Sequence, residues 1–485
     1  MLFNSFEYLF CFLPVVVIIY FLVNKINIVA AKCWLLVCSL FFYSWWNINY
    51  LPLILVSIIV NYTVSTALKR RAAGYCRGLL ALGVTFNLLL LGYFKYTGFF
   101  ISNVNALFAV NVPMLNLLLP LAISFFTFQQ IAYLVDVYRG ETKEYSLLHY
   151  SLFVCFFPQL IAGPIVQHKE MIPQFQDPKN KAVNYENITR GLYIFAMGLF
   201  KKVVIADNFA TWANFGFDQA NSLTFLDGWV TSLSYTFQLY YDFSGYTDMA
   251  IGAALLLNIR LPINFNSPYK AVNIQDFWRR WHITLSRFLM NYLYIPLGGN
   301  KRGKRRTMIN IMIVFVLGGF WHGAGWTFVF WGFLHGLALI VHRGWTTLNR
   351  KGNNLWGRII TFNFVNVAWV FFRAEQWQDA VKVLKAMFGI NGFILPDLLA
   401  SRLSFLSTLG VQFSQPAMRE VGLYRGMLMV TIFILLVFFM KNSVELTRQF
   451  KPTWQRSVHF SLMVFIALIT MYASVHTAEF LYFNF

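Results

Sequence analysis

The chain has 485 residues, of which 58% are hydrophobic, 19% aromatic and only 12% charged, with a mean hydropathy of +0.56. Soluble domains carry about 25% charged residues, so a soluble globular enzyme, a disordered chain and a fibrous repeat are all poor fits. At about 20 apolar residues per crossing the material suffices for about 9–12 membrane spans, which predicts an all-α, polytopic helical bundle.

The 39 Lys and Arg against 19 Asp and Glu leave a formal charge of +20. In a membrane protein such an excess collects in cytoplasmic loops, so no nucleic-acid partner is inferred. The five cysteines, Cys11, Cys33, Cys38, Cys76 and Cys155, show neither CxxC spacing nor a neighbouring histidine cluster. They read as small apolar core residues, and neither a disulfide framework nor a metal site is expected.

In chain order, apolar runs at Leu9–Val23, Trp34–Trp46, Leu51–Ala67, Leu79–Tyr93 and Leu115–Val135 predict membrane helices. The first lacks a preceding basic region and a small-residue cleavage site, so it reads as a helix and not as a secretory leader. Basic residues alternate between the connections. Lys25 and Lys32 fall in the first and none in Asn47–Tyr50. Lys69, Arg70, Arg71 and Arg77 follow, then none between Lys95 and the fifth run, and Arg139 and Lys143 come after it. That alternation predicts an extracytoplasmic N-terminus and cytoplasmic loops at residues 24–33, 69–77 and 139–146.

From residue 150 to 345 the sequence stays apolar but is interrupted at Pro158–Pro164, Tyr240–Asp248 and Gly318–Gly323. Broken backbone at membrane depth survives only where protein or a water-filled cavity satisfies it, so these islands predict re-entrant segments around a buried site. Lys201 and Lys202 are expected to snorkel to an interface. Plainer helices follow near Ile359–Phe372, Met427–Met440 and Phe460–Met471, and residues 391–425 read as a loop with interfacial helices. Without repeats or low-complexity tracts, residues 1–485 form one membrane domain, its motif-bearing core at about 110–345.

No G-x-S-x-G elbow, H-E-x-x-H pair or P-loop is present. His322 is the strongest candidate for chemistry. It follows the apolar run Ile311–Leu317 and sits among Gly318, Gly319, Gly323, Gly325, Trp321 and Trp326. On a helix starting near Thr307 it would stand about 22 Å along the axis, with Lys301, Arg302, Lys304, Arg305 and Arg306 marking the cytoplasmic edge. An ionisable residue at that depth is a functional hypothesis, and imidazole suits a general base. The alternative is a packing histidine bonded to a neighbouring helix.

His282 lies in Ile274–Leu289, which forms a basic amphipathic pattern on a helical wheel. Phe277, Trp278, Trp281, Leu285, Phe288 and Leu289 share one arc, and Arg279, Arg280, Thr284, Ser286 and Arg287 the other. Asp276 suits the start of that helix. Alone, the segment is a membrane-surface helix; it matters because it brings a second histidine to the same part of the chain. Asp242 and Asp248 would be costly unpaired, so they either orient a histidine, pair with Arg279 or Arg280, or sit at a loop or cap. His335 reaches the same cavity only if the chain turns back after the glycines, and His342 reads as interfacial. His149, His168, His459 and His476 have no local support.

The segments Phe156–Pro164 (FFPQLIAGP), Tyr241–Gly252 (YDFSGYTDMAIG), Phe277–Ser286 (FWRRWHITLS) and Gly319–Gly323 (GFWHG) resemble the membrane-bound O-acyltransferase family. They look most like its bacterial alginate O-acetyltransferase branch, from Leu2–Ser5 (LFNS) to about residue 390. The resemblance implies a helical bundle with a funnel or tunnel to a buried histidine. His322 matches that histidine and His282 the second motif histidine. Asp242, Asp248, Trp278, Arg279, Arg280, Trp281, Trp321 and His335 would support or line the tunnel. The resemblance also implies a cytoplasmic thioester donor, acetyl-CoA, and an extracytoplasmic SGNH-hydrolase-like partner. The acceptor would be an exopolysaccharide or cell-wall glycan, and the location the bacterial inner membrane.

Lys301–Arg306 then reads either as a holder of the CoA phosphates or as a plain topology signal. No tightly bound cofactor is expected, and Cys155 is not expected to carry the acyl group. Acetyl transfer to peptidoglycan or cellulose and D-alanyl transfer to teichoic acid are alternatives within the family. A transporter or flippase is the rival outside it; such proteins often show repeated halves, and the sequence shows none.

Overall fold

In the computed structural model, the described residues are 1–70, 73–115, 117–143, 145–161, 163–348, 353–474 and 479–481. Arg71 of the third predicted connection, Ala162 of the first island and His476 lie outside them.

A π-helical turn, Glu7–Phe12, runs into α1 (Leu13–Ile26), and Asn27 alone separates α1 from α2 (Ile28–Ser44). The Asn27 side chain caps α2 by accepting from Val29 N at 2.8 Å and Ala30 N at 3.0 Å. Next come α3 (Leu51–Arg70) and α4 (Ala73–Leu91), which continues through a π-helical turn, Gly92–Tyr96, into α5 (Thr97–Phe108). The stretches Glu7–Ile26, Ile48–Arg70, Cys76–Phe108, Asn354–Arg373 and Trp454–Ala473 are each long and apolar enough to cross a membrane. The protein is a multi-pass, all-α membrane protein.

The fifth predicted run is divided. Helix α6 covers only Ile123–Tyr138, because Pro120 lacks an N–H and biases Leu119 away from helical angles. Ala122 makes the entry with φ at 61°. The first island is broken as expected: α7 (Leu147–Cys155) and the short α8 (Phe157–Leu160) end there, and helix resumes at α9 (His168–Gln176).

The second island is not broken. Tyr240–Asp248 lies inside α12 (Phe225–Leu256), an unbroken helix of 32 residues with nearly every side chain buried. Ahead of it run α10 (Tyr185–Phe200), the π-helical turn Lys201–Ala206 and α11 (Asp207–Asn214). The island contains no proline, and its Gly245 serves close packing. A Cβ on Gly198 of α10 would stand 2.5 Å from Gly245 O, and one on Gly252 2.6 Å from Gly191 O. The pairs 191–252 and 198–245 set α10 and α12 antiparallel through small-residue contacts of the kind membrane helices use.

Lys201 and Lys202 do not snorkel to an interface. Lys202 is 3% exposed, and both ammonium groups turn inward to carboxylates of α12. Of the cysteines, Cys38 and Cys155 are buried, but Cys11 and Cys33 are exposed on the outer, apolar face and so are not core residues.

The chain then forms α13 (Ile274–Arg280), α14 (Ile283–Leu289), α15 (Gly303–His322), α16 (Trp326–Thr347), α17 (Asn354–Arg373) and α18 (Trp377–Met387). Within 391–425, strands Ile394–Pro396 and Gln412–Ser414 pair in parallel around short turns and α19 (Ala400–Leu403). The final elements are α20 (Leu423–Phe439), α21 (Ser443–Thr447) and α22 (Trp454–Ala473).

Candidate active site

The third island ends α15 at His322 and starts α16 three residues beyond Gly323. The two helices form a hairpin whose glycines face each other. A Cβ on Gly319 would lie 2.3 Å from Phe328 O, and one on Gly332 2.3 Å from Phe315 O. This close approach holds His322, 3% exposed, inside an aromatic ring. Its imidazole centroid lies 4.9 Å from Trp321, 5.3 Å from Trp331 and 5.2 Å from Phe372, all close to edge-on.

The segment Ile274–Leu289 is not one amphipathic helix. Helix α13 stops at Arg280, and His282 adopts left-handed angles, φ 43° and ψ 53°, before α14 begins. The side-chain periodicity runs straight through this point, but tertiary hydrogen bonds override it. Asn264 O accepts from Ile283 N at 3.0 Å, and Asn264 Oδ1 accepts from Thr284 N at 3.2 Å and Thr284 Oγ1 at 2.8 Å. The break turns His282 fully inward, 0% exposed, with Nδ1 3.3 Å from Asn264 Oδ1. Its ring meets the edge of Phe243 at 4.9 Å, and its centroid lies 6.3 Å from that of His322.

The chain does turn back after the glycines, and His335 is buried on α16 beside Trp331, at 4.8 Å. Trp278 Nε1 donates to His335 Nδ1 at 3.2 Å. Trp281 packs on Trp369 at 4.9 Å, and Trp331 stacks on Trp369 at 5.5 Å. The motif tryptophans thus wall one aromatic interior containing all three histidines.

Among the described residues, Asp242 and Asp248 orient no histidine and pair with neither Arg279 nor Arg280. Lys202 Nζ lies 2.7 Å from Asp242 Oδ1 and 2.7 Å from Asp207 Oδ1. Lys201 Nζ lies 2.6 Å from Asp248 Oδ2, whose Oδ1 accepts from Ser443 Oγ at 3.0 Å. Arg280 turns to Asp276 at 2.9 Å, and Arg279 is exposed. Lys301, Arg302, Lys304 and Arg305 are exposed and Arg306 is half-buried, all at the start of α15. That start is about 28 Å from His322 along the helix axis.

Three features escape sequence reasoning. A cavity of about 670 Å³ opens immediately past His322, at the end of α15 away from the basic cluster; Lys95, Gly323, Lys202, Gln238, Arg373 and Glu479 are among its lining. Lys95 donates to Trp321 O at 2.6 Å and to His322 O at 3.2 Å. The one available signal for it was a lysine inside an otherwise apolar helix. His168, left without local support by the sequence, is buried with Nε2 3.1 Å from Asp136 Oδ2, and Tyr292 OH donates to the other oxygen at 2.9 Å.

The sequence model of MBOAT, the membrane-bound O-acyltransferase family, matches residues 137–376. The peptidoglycan O-acetyltransferase of Helicobacter pylori is 48% identical over 100% of this chain and 98% of its own. The protein named Probable alginate O-acetylase AlgI of Pseudomonas aeruginosa is 40% identical over 84% of this chain and 78% of its own. The teichoic acid D-alanyltransferase of Bacillus subtilis is 28% identical over 55% of this chain and 71% of its own. The likeness to the H. pylori protein continues past residue 390, where the motif resemblance stops.

Proposed function

From the premise that this chain belongs to the membrane-bound O-acyltransferase family and is an acyltransferase, we propose that it moves acetyl groups across the bacterial inner membrane for O-acetylation of peptidoglycan. The donor is a cytoplasmic thioester, acetyl-CoA, bound as a substrate; no tightly bound cofactor enters the reaction. The acceptor side takes an extracytoplasmic SGNH-hydrolase-like partner that passes the acetyl group to the glycan.

One observation carries this reading. His322 lies buried between the exposed basic start of α15 and a polar cavity at the opposite end, with His282 beside it. In the transfer, His322 takes the proton of the acceptor hydroxyl as its oxygen attacks the thioester carbonyl. The new C–O bond forms, the C–S bond breaks, and the CoA sulfur leaves as the thiol, taking from His322 the proton that came from the hydroxyl. His282 is placed to stabilise the developing oxyanion. Bringing donor and acceptor to one histidine from opposite faces replaces a diffusional encounter by proximity. Lys301, Arg302, Lys304, Arg305 and Arg306 serve topology, and contacts to the CoA phosphates come second to that role.

Peptidoglycan is favoured over alginate because the peptidoglycan relative matches the whole chain, and the alginate relative 84% of it at lower identity. The test is labelled acetyl-CoA supplied to membranes holding the protein and its partner, wild type against His322→Ala at equal folded levels. Peptidoglycan and alginate are offered separately. Label reaching peptidoglycan only with wild type supports the reading, and label on alginate alone moves the acceptor. Transfer by His322→Ala at the wild-type rate removes the mechanism. Absence of any thioester requirement returns the transporter alternative.

A further inference from the structure

The last four carbonyls of a helix have no partner within it, and at membrane depth an unsatisfied one is costly. At the end of α15 all four are met. Gly319 O accepts from Gly323 N at 3.4 Å and Phe320 O from Tyr96 OH at 3.0 Å. Trp321 O and His322 O accept from Lys95 Nζ at 2.6 and 3.2 Å. Three of the four therefore depend on two adjacent side chains that lie 224 to 227 residues earlier in the sequence.

These two side chains are themselves held. Tyr96 stacks on Phe320 with centroids 4.3 Å apart. The Lys95 ammonium donates a third bond to Ser124 Oγ of α6 at 3.2 Å and sits 5.6 Å from the Trp321 ring centroid. Both belong to the π-helical turn Gly92–Tyr96, an irregularity that concentrates at functional sites. Lys201 and Lys202 pair with carboxylates, whereas the three oxygens that Lys95 bonds are two carbonyls and a hydroxyl. A cation there also faces the negative end of the α15 dipole. Lys95 lines the cavity past His322 as well, so its loss would open those carbonyls to whatever fills that space.

We propose that Lys95 is a positioning residue for the transfer reaction: together with Tyr96 it clamps the last turn of α15 and so fixes the orientation of the His322 ring next to the cavity. This rests on the acyl-transfer reading of His322. An ammonium supplies three donors, a carboxamide two and a thioether none. The side chain at residue 95 can therefore be graded without changing its length much.

The experiment measures steady-state acetyl transfer and backbone amide exchange at Gly323–Gly325 for purified wild type, Lys95→Met, Lys95→Gln and Tyr96→Phe. Lys95→Met is expected to lower kcat about 100-fold, the cost of a misplacement of about 1 Å, with the donor KM unchanged and faster exchange at Gly323–Gly325. Lys95→Gln recovers part of kcat, and Tyr96→Phe, which keeps the ring and loses the hydroxyl, falls between it and wild type. Wild-type kcat in Lys95→Met overturns the proposal. So does a raised KM at unchanged kcat, which would make Lys95 a substrate ligand. Unchanged exchange in both Lys95 variants overturns it too. Should Lys95→Met not fold, Lys95→Gln and Tyr96→Phe decide by the same readouts. If wild type transfers no acetyl, the acyl-transfer reading fails first and the positioning role falls with it, a result distinct from a variant that matches an active wild type.

Discussion

Two sets of buried ionisable groups lie side by side in this protein and are built in opposite ways. Around α10–α12 the charges come in pairs: Lys202 with Asp242 and Asp207, and Lys201 with Asp248. Around the ends of α13 and α15, the residues against His282, His322 and His335 are mainly aromatic. A buried pair whose charges satisfy each other holds its helices in register and has little freedom to exchange protons. An imidazole walled by aromatic rings and set beside a second imidazole is placed to meet a substrate proton. The contrast fits a structural role for the first set and, under the proposed mechanism, a chemical role for the second.

The largest expected effect comes from the second set. His322→Ala should lower acetyl transfer by about 10²–10⁴-fold, the usual contribution of a general base, at an unchanged folded fraction in size-exclusion chromatography. The mirror experiment is on the first set. Lys202→Met leaves Asp242 buried without its cation and should cost about 3–5 kcal/mol of stability, read as a lower midpoint of thermal unfolding in detergent. Lys202→Met/Asp242→Leu should regain much of that loss, since an apolar pair can replace a buried ionic one. A Lys202→Met protein that folds like wild type but transfers nothing would break the division between the two sets.

His282 tests the second set more finely, because its backbone is unusual. At φ 43° asparagine is tolerated and a β-branched residue is not. His282→Asn should therefore keep the turn between α13 and α14 and lose only the ring. The expected result is about 10²–10³-fold slower transfer, the cost of one oxyanion donor, with an unaltered unfolding midpoint. Unchanged transfer would remove His282 from the reaction and leave His322 without a second imidazole.

How far the sequence reached follows from what is local. The burial of His322 at the far end of its helix was legible because the apolar run, the glycine break and the basic start all lie within about one helix, and helix rise converts them to depth. The Tyr240–Asp248 island was misread because a polar stretch in an apolar run resembles broken backbone until its partner is known. Its partners, Lys201 and Lys202, are about 40 residues away on another helix, and without proline the helix had no reason to open. The left-handed turn at His282 was hidden in the same way: the wheel of Ile274–Leu289 is continuous, and the bonds that break it come from Asn264 and Asn266 in the preceding loop. Lys95 was the least legible, since nothing near it in sequence points to a carbonyl 226 residues on.

The smallest effect is expected at Cys155, and it bears on what kind of chemistry the histidines do. Cys155 is as buried as His322, but its thiol donates to Ser151 O of its own helix at 2.9 Å. A nucleophilic cysteine needs a cation, a helix N-terminus or a metal beside it, and Cys155 is the last residue of α7. A buried free cysteine otherwise acts as a small apolar side chain. Cys155→Ala should therefore keep transfer within about twofold and cost about 1 kcal/mol of stability, the ordinary size of a core substitution. Mass spectrometry of the wild type incubated with donor alone should find no acetyl group on that residue. If Cys155→Ala folds and transfers nothing, the acetyl group passes through a thiol, and the base at His322 would then serve a cysteine and not the acceptor hydroxyl.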